Sequence, residues 1–298
     1  MVIIIKKYGQ LGNRLFPFAQ FIAHAKQHGY RLLNLAFEDY ASNFQNTQFS
    51  FFSSYPALIN KKFLPRFFYP KIRWVIFKII GKIVDFCIWL KFTHSPFHEI
   101  IPETFAHYGP DLQQLSPETL NRKLIFVCNP FYFRNNPALW ESHDGIKKFL
   151  LPSEQHQKNI ADSEKYDITV GIHIRGGDFR TWHNGQYFFD FPYFEAAMRQ
   201  TIKLFPSHQS IGFLLCSDEE WDLSTCKDLQ ITKGTGDFIE DLYSLAECDY
   251  LIGGYSSYLY WASFYGNKPF FSVMQKNPLE ETLSLSDFND LRTKEIFP

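Results

Sequence analysis

Apolar positions come in two rhythms along this chain. Residues 2–5 form a short apolar run that reads as a buried strand, followed by a glycine-bearing turn at 9–13. Leu15, Phe18, Ala19, Ile22 and Ala25 then recur every three or four positions, which predicts a helix of about 15 residues. Gly29 suits its C-cap and 31–35 reads as a second strand, so a βαβ unit opens the chain. A further strand is expected at 123–128. From about 165 onward the alternation is regular. Strands are expected at 168–174, 211–216, 250–253 and 269–273. Helices are expected at 192–205, 239–247 and 256–265, with Pro192 in a first turn. Strands alternating with helices predict a parallel sheet covered on both faces. The polar stretch 153–165 places a boundary within 150–165, giving an N-terminal domain over 1–155 and a C-terminal domain over 156–298.

Residues 38–122 resist this reading, because Pro56, Pro65, Pro70, Pro96, Pro102, Pro110 and Pro117 interrupt them. One segment stands out. Ile72, Val75, Ile76, Ile79, Ile83, Phe86, Cys87 and Leu90 recur at helical spacing, with Lys71, Lys78, Lys82 and Asp85 between them. The helix is amphipathic and basic, weakened slightly by Gly81. Residues 61–91 hold eight Lys or Arg and one acid, a net charge of +7. The whole chain carries -1, so the remainder sums to -8. Two readings stand: a helix packed on the core with a solvated charged face, or an interfacial helix lying on an anionic membrane, which Trp74 and Trp89 would suit.

A hydrophobic share of 45% with 20% charged residues is a globular balance. The near-zero net charge gives no reason to expect nucleic acid as a partner. Cys87, Cys128, Cys216, Cys226 and Cys248 are odd in number and form no C-x-x-C pair, which points to free thiols in a reducing compartment. The first residues have the wrong order for a signal peptide, and no uncharged apolar run reaches the ~20 residues that span a bilayer. The expected location is cytoplasmic, with the inner membrane face as a peripheral site. Aromatics at 18% fit dense packing or sugar-stacking surfaces.

Ligands of an open parallel sheet bind at the carboxyl ends of its strands. Three polar clusters fall there: Arg175-Gly176-Gly177-Asp178, Ser217-Asp218, and Gly254-Tyr255-Ser256-Ser257 opening a helix. Arg175 offers a planar fork of donors suited to phosphate, beside glycines that let backbone come close. Ser256 and Ser257 can hold an anion at a helix start or simply cap it. Asp218 can bind a base or ribose, or cap a turn. Asp241 can do the former, or act as a first-turn charge. Asp178 can serve the chemistry or only hold its loop.

Other chemistries drop out. There is no G-x-x-x-x-G-K-[ST], no H-E-x-x-H, no pair of C-x-x-C and no D-x-D triplet. Gly9-Gln10-Leu11-Gly12-Asn13 is not a G-x-G-x-x-G. His24 and His28 share a helix face without a third ligand, so no metal is expected.

Four segments together resemble the α-1,2-fucosyltransferases of glycosyltransferase family eleven. Gly9-Gln10-Leu11-Gly12-Asn13-Arg14-Leu15-Phe16 resembles the family's G-x-L-G-N-Q-x-F start. His173-Ile174-Arg175-Gly176-Gly177-Asp178-Phe179 resembles H-x-R-R-G-D-Y/F, and Cys216-Ser217-Asp218-Glu219-Glu220-Trp221 resembles F-S-D-D-x-x-W. Residues 241–262 resemble the block D-L-x-x-M-S…N-S-S-F-S-W-W-x-A. The matches fall in family order.

The resemblance implies an α/β, GT-B-like fold of two Rossmann-like domains, the C-terminal one binding a GDP-sugar, GDP-fucose, with no cofactor. It implies inverting transfer to an acceptor glycan, which the missing D-x-D makes metal-independent; a lipid-linked oligosaccharide acceptor in polysaccharide biosynthesis would give the 61–91 helix a purpose. Arg175 would hold the departing phosphate, with His173, Ser217, Asp218 and Asp241 lining the nucleotide and Ser256 and Ser257 at the phosphates. Gly9, Gly12, Asn13 and Arg14 would form an acceptor-side loop, with Asn13 near the reacting centre. Asp178 and Glu38 are base candidates by residue type. Gly176 stands where the family has a second Arg, Arg14 where it has Gln, and Tyr258 and Tyr260 alter the Ser-Trp-Trp run. Another GDP-sugar, a protein acceptor, or a member that binds without turnover are the competing readings.

Overall fold

Short apolar strands and two long helices build the first of two units, Met1–Glu154 and Gln155–Pro298, of the computed structural model. Residues 1–58, 64–101, 116–130, 133, 136–161 and 165–293 are described. Positions 61–63 of the basic segment, Pro102 and Pro110, and 162–164 of the polar boundary stretch lie outside them. β1 (Val2–Ile4), α1 (Leu11–His28) and β2 (Leu32–Asn34) form the opening βαβ. α1 ends at Gly29, which is left-handed at φ 70° and donates its N–H to the Ala25 carbonyl. Then come β3 (Ser54–Tyr55), α2 (Phe68–Trp89), β4 (His98–Ile101), α3 (Pro117–Arg122), β5 (Leu124–Val127), α4 (Asn136–Glu141) and α5 (His143–Phe149). The sheet runs β3-β2-β1-β5-β4, parallel except for β3. The chain leaves β1 toward β2 on one side and returns to β5 on the other, so the strand order reverses between β1 and β5.

Pro70, expected as a break, sits in the first turn of α2, where its missing N–H has no helical partner to lose. The apolar stripe expected on one face of this helix is divided. Ile76 and Cys87, with Phe77, Ile80, Val84 and Ile88, pack on Ile3, Ile5, Leu33, Leu35, Ile100 and Cys128. Val75, Ile79, Ile83, Phe86 and Leu90 are exposed. α2 is apolar around most of its circumference, so spacing alone does not choose the inward side.

Arg73 makes that choice. It is 2% exposed, and its Nη1 donates to the main-chain oxygens of Thr47, Gln48 and Ser50 at 3.2–3.3 Å, while Nη2 donates to Ser42 Oγ. Burial lowers its pKa to about 10, so it remains charged at neutral pH. An Arg73→Met change keeps the length and removes every donor. It is expected to destabilise the first unit by about 3 kcal/mol, seen as a lower thermal midpoint. An unchanged midpoint would remove this role.

The second unit begins within a short α6 (Glu154–Gln157). It contains β6 (Ile168–Ile174), α7 (Phe191–Ile202), β7 (Ile211–Ser217), β8 (Ile231–Lys233), α8 (Phe238–Glu247), β9 (Tyr250–Gly253), α9 (Ser257–Gly266) and β10 (Phe270–Ser272). Its sheet is wholly parallel, in the order β10-β9-β6-β7-β8. One face, carrying Ile168, Val170, Ile172 and Ile174, packs on Phe194, Ala197 and Met198 of α7. The alternate positions of β6 meet α8 and α9: a Cβ on Gly171 would lie 2.7 Å from Leu245. The strand order reverses at the β6–β9 neighbour pair, where His173 is in register with Gly253.

Candidate functional site

The strand register of the second unit gathers three of the four motifs at one sheet edge. β6 and β7 pair through His173–Cys216 and Ile174–Ser217, so Arg175 and Asp218 emerge side by side. Gly253 ends β9 next to them and leads into the turn before α9. This edge, at the reversal of strand order, is where parallel sheets leave a crevice for ligands.

Arg175 is oriented by its own loop. Its Nε donates to Asp178 Oδ1 at 2.8 Å and its Nη2 to Oδ2 at 2.7 Å. The guanidinium carbon lies 4.7 Å from the Phe179 ring centre. A guanidinium carries five N–H donors, and Asp178 takes two, so three remain to meet an anion in a fixed plane. The same pair holds the Asp178 carboxyl below the usual carboxylate range. Asp178 is thereby a weak proton acceptor and a strong clamp. Glu38, the other base candidate, belongs to the first unit and pairs with Lys7 Nζ at 2.7 Å.

The glycines after Arg175 leave room for two neighbouring carboxylates. Gly176 N–H donates to Asp218 Oδ1 at 2.8 Å, and a Cβ on Gly177 would lie 2.8 Å from Asp218 Oδ2. A Cβ on Gly176 would overlap the Glu219 carboxylate. That carboxylate is held by Arg180, whose Nη2 donates to it at 2.6 Å and whose guanidinium lies over the Phe188 ring at 4.3 Å. Their pairing lowers the pKa of Glu219 and raises that of Arg180. The space of a side chain at 176 is therefore filled from the neighbouring strand end.

His173 points to the face opposite α7 and stacks on Tyr258 of α9, with ring centres 4.8 Å apart and planes at 24°. Burial first, and the Arg175 charge second, lower its pKa to about 3, so the imidazole is neutral. Its Nδ1 is buried without a hydrogen-bond partner. Tyr258 in turn donates its hydroxyl to the Phe238 carbonyl at the start of α8 at 2.8 Å.

Ser217 Oγ accepts from Trp221 Nε1 at 2.8 Å and from Glu219 N–H at 3.1 Å. Asp241 is 6% exposed and turns back to the preceding loop, accepting from the Thr235 N–H at 2.7 Å and the Gly236 N–H at 3.3 Å. Burial raises its carboxyl pKa. Ser217, Glu219, Trp221, Lys233, Thr235 and Asp241 line one pocket of about 140 Å³. Ser256 is the N-cap of α9, its Oγ accepting from Tyr258 N–H at 3.3 Å, and Ser257 is the first helical residue.

In the first unit, only Gly9 of the expected acceptor-side loop is in a turn; Gly12, Asn13 and Arg14 lie in the first turns of α1, which follows β1 at that sheet's own reversal of strand order. Gly9 is left-handed at φ 55°, and a Cβ there would overlap the Asn13 side chain. Arg14 Nη1 donates to Ala36 O at 3.0 Å and Asp39 Oδ2 at 2.8 Å, and its Nε donates to Gly9 O at 3.2 Å, so it braces the loop. Gly12 is buried within α1. Asn13 and Arg14 line a small hollow with Lys6, Tyr8, Asn34 and Pro130.

Among the described residues, His156, Asp237 and Glu240 form a group close enough to hold a cation. Each is already engaged by the protein. Asp237 caps α8, accepting from Ile239 N–H at 2.9 Å, and Glu240 accepts from Asn159 at 2.8 Å and lies 3.3 Å from His156 Nδ1. Sequence reasoning missed Tyr258 as the stacking partner of His173, the Arg180–Glu219 pair and the Thr235–Gly236 ledge. No local spacing in the sequence signals the pair, whose members are 39 residues apart.

The model of the family described as Glycosyl transferase family 11 matches residues 2–289. No curated protein matches the sequence. Among solved structures, the fold is similar to that of an Arabidopsis thaliana FUT1 mutant in complex with GDP, with a TM-score of 0.57 at 13% identity, covering 91% of this chain and 70% of that one. It is also similar to fucosyltransferase NodZ from Bradyrhizobium, with a TM-score of 0.51 at 12% identity, covering 92% and 95%. The α/β, GT-B-like class expected from the motifs is the fold of both.

Proposed function

Since the chain belongs to glycosyl transferase family 11, we propose that it transfers L-fucose from GDP-fucose to a hydroxyl of an acceptor glycan, with inversion, in α-1,2 linkage and without a metal ion. The observation that carries this reading is the Arg175 fork, clamped by Asp178 and presenting its remaining donors at the strand-order reversal. GDP is the nucleotide bound by the Arabidopsis thaliana neighbour, and we assign the same nucleotide to this edge.

Breaking the bond from fucose C1 to the phosphate oxygen leaves a diphosphate with one more negative charge. A cation fixed beforehand in a dry site stabilises that charge without reorganising, at about 3–4 kcal/mol per well-placed donor. Arg175 takes this role, with Ser256, Ser257 and the N-terminus of α9 adding dipoles at the phosphates. Neutral His173, Ser217, Asp218 and the ledge held by Asp241 line the nucleotide. Asp178 and Glu38 are both engaged by cations, which favours a dissociative transition state in which the acceptor proton leaves late, to solvent water.

The Glu219 carboxylate at Gly176 favours a second reading, in which the protein binds the donor without turning it over. One experiment separates them. GDP release from GDP-fucose and from GDP-mannose is measured with and without a galactose-terminated glycan, in buffer containing EDTA. The transferase reading expects acceptor-stimulated release from GDP-fucose, undiminished by EDTA, and a new α-1,2 linkage by NMR. Tight GDP binding without release from either sugar supports the second reading. Loss of turnover on chelation sinks metal independence.

A further inference from the structure

α2 presents to solvent a face that a core-packed helix would not carry. At 100° per residue, Val75, Ile79, Ile83, Phe86 and Leu90 fall within one narrow arc, away from the Ile80–Val84 seam on the sheet. They are 45%, 55%, 56%, 58% and 53% exposed. Trp89 lies beside the arc and Trp74 further round on the lysine side, and Phe67, Phe92 and Phe97 just outside the helix are exposed as well. More than half of the exposed large apolar side chains among the described residues lie between Phe67 and Phe97. Soluble surfaces ordinarily scatter such residues singly.

The charges on the same surface narrow what covers it. Lys71, Lys78, Lys82 and Lys91 are exposed along this segment. Lys78 Nζ lies 5.9 Å over the Trp74 ring. Asp85, the one acid of 61–91, is neutralised by Lys6 at 2.9 Å. A second copy of the chain would bring one row of lysines against another, whereas an anionic surface matches them. No described helix is long and apolar enough to cross a membrane. A helix with an apolar arc, a lysine border and tryptophans at its margin matches the boundary between acyl chains and anionic headgroups.

We propose that α2 docks the protein on an anionic lipid bilayer, lying in the plane of the interface with Val75, Ile79, Ile83, Phe86 and Leu90 in the acyl boundary. This does not rest on the fucosyl-transfer reading, since no α2 residue belongs to the donor edge.

The test is flotation of the full chain with phosphatidylcholine vesicles, with and without phosphatidylglycerol. At low salt the protein is expected to float with the anionic vesicles and to stay behind with the neutral ones. High salt should weaken the binding. A Lys78→Gln/Lys82→Gln variant should lose roughly 25-fold in partitioning, about fivefold per lysine near an anionic surface. An Ile79→Ser/Phe86→Ser variant should lose binding even at low salt. Thermal midpoint and GDP affinity should stay at wild-type values in both. Absence of flotation by folded wild type overturns the proposal. So does equal flotation of the serine variant. So does a dimer, detected by light scattering, that the serine variant dissolves, because that outcome gives the face to a second copy.

Discussion

An Arg175→Ala variant will transfer fucose about 10²- to 10³-fold more slowly than the wild type, the effect expected for removing one preorganised donor from a developing oxyanion. If Arg175 has the proposed role, the loss will appear in kcat as well as in donor affinity, because the charge to be met grows as the glycosidic bond breaks. Arg175→Lys will recover only part of it. Lysine keeps the charge but lacks the planar fork that holds Asp178 with two N–H groups while presenting three more. Asp178→Asn then distinguishes a clamp from a base: a clamp predicts weaker donor binding with the acid limb of the pH–rate profile unchanged. Steady-state kinetics with GDP-fucose, together with GDP titration calorimetry, measure all three. Wild-type kcat in the alanine variant would remove Arg175 from the chemistry.

The second large effect is on stability against pH. His173 has an ordinary pKa of 6.5, and burial beside Arg175 lowers it to about 3 in the fold. Above pH 6.5 both the folded and unfolded states hold a neutral imidazole, so His173 adds no pH dependence. As pH falls below 6.5 the unfolded chain takes the proton first, and stability is lost progressively down toward pH 3. At pH 4.5 this amounts to roughly 2–3 kcal/mol. A His173→Phe variant, which keeps an aromatic ring on Tyr258, should therefore show a flatter fall in denaturation midpoint between pH 7 and 4.5. His24 acts in the same direction, its pKa lowered to about 4 by burial and then by His28, so the wild-type curve retains some slope in the variant. Identical slopes for wild type and variant would mean that His173 is already protonated or solvated in the fold.

Both predictions concern residues that the sequence exposed, and the reason is local. β6 and β9 have the bounds read from their apolar runs, since a strand buried on both faces is continuous in sequence. Arg175 stands out because an apolar strand ends on it and two glycines follow. Gly29 stands out because a left-handed cap tolerates few other residues. Strands β3, β4 and β8, of two to four residues, carry too few positions to show a period, and they exist because a neighbouring strand offers them hydrogen bonds.

The sequence by itself determined the element rhythm, the family motifs and the cation at the strand tip, all of which are set by neighbours within a turn or two of chain. Only the tertiary structure decided what those residues face. It put Tyr258 under His173 and the Glu219–Arg180 pair into the space at Gly176, joining strand and helix ends distant in the chain. It also turned Asp241 back onto the Thr235–Gly236 ledge. And it turned five of the eight α2 stripe positions outward, while Arg73 on the opposite side reaches the carbonyls of Thr47, Gln48 and Ser50. Either side of α2 offers a comparable set of apolar side chains to the sheet, so the several kcal/mol that an unsatisfied buried charge would cost tips the choice, and a periodicity that counts apolar residues does not register it.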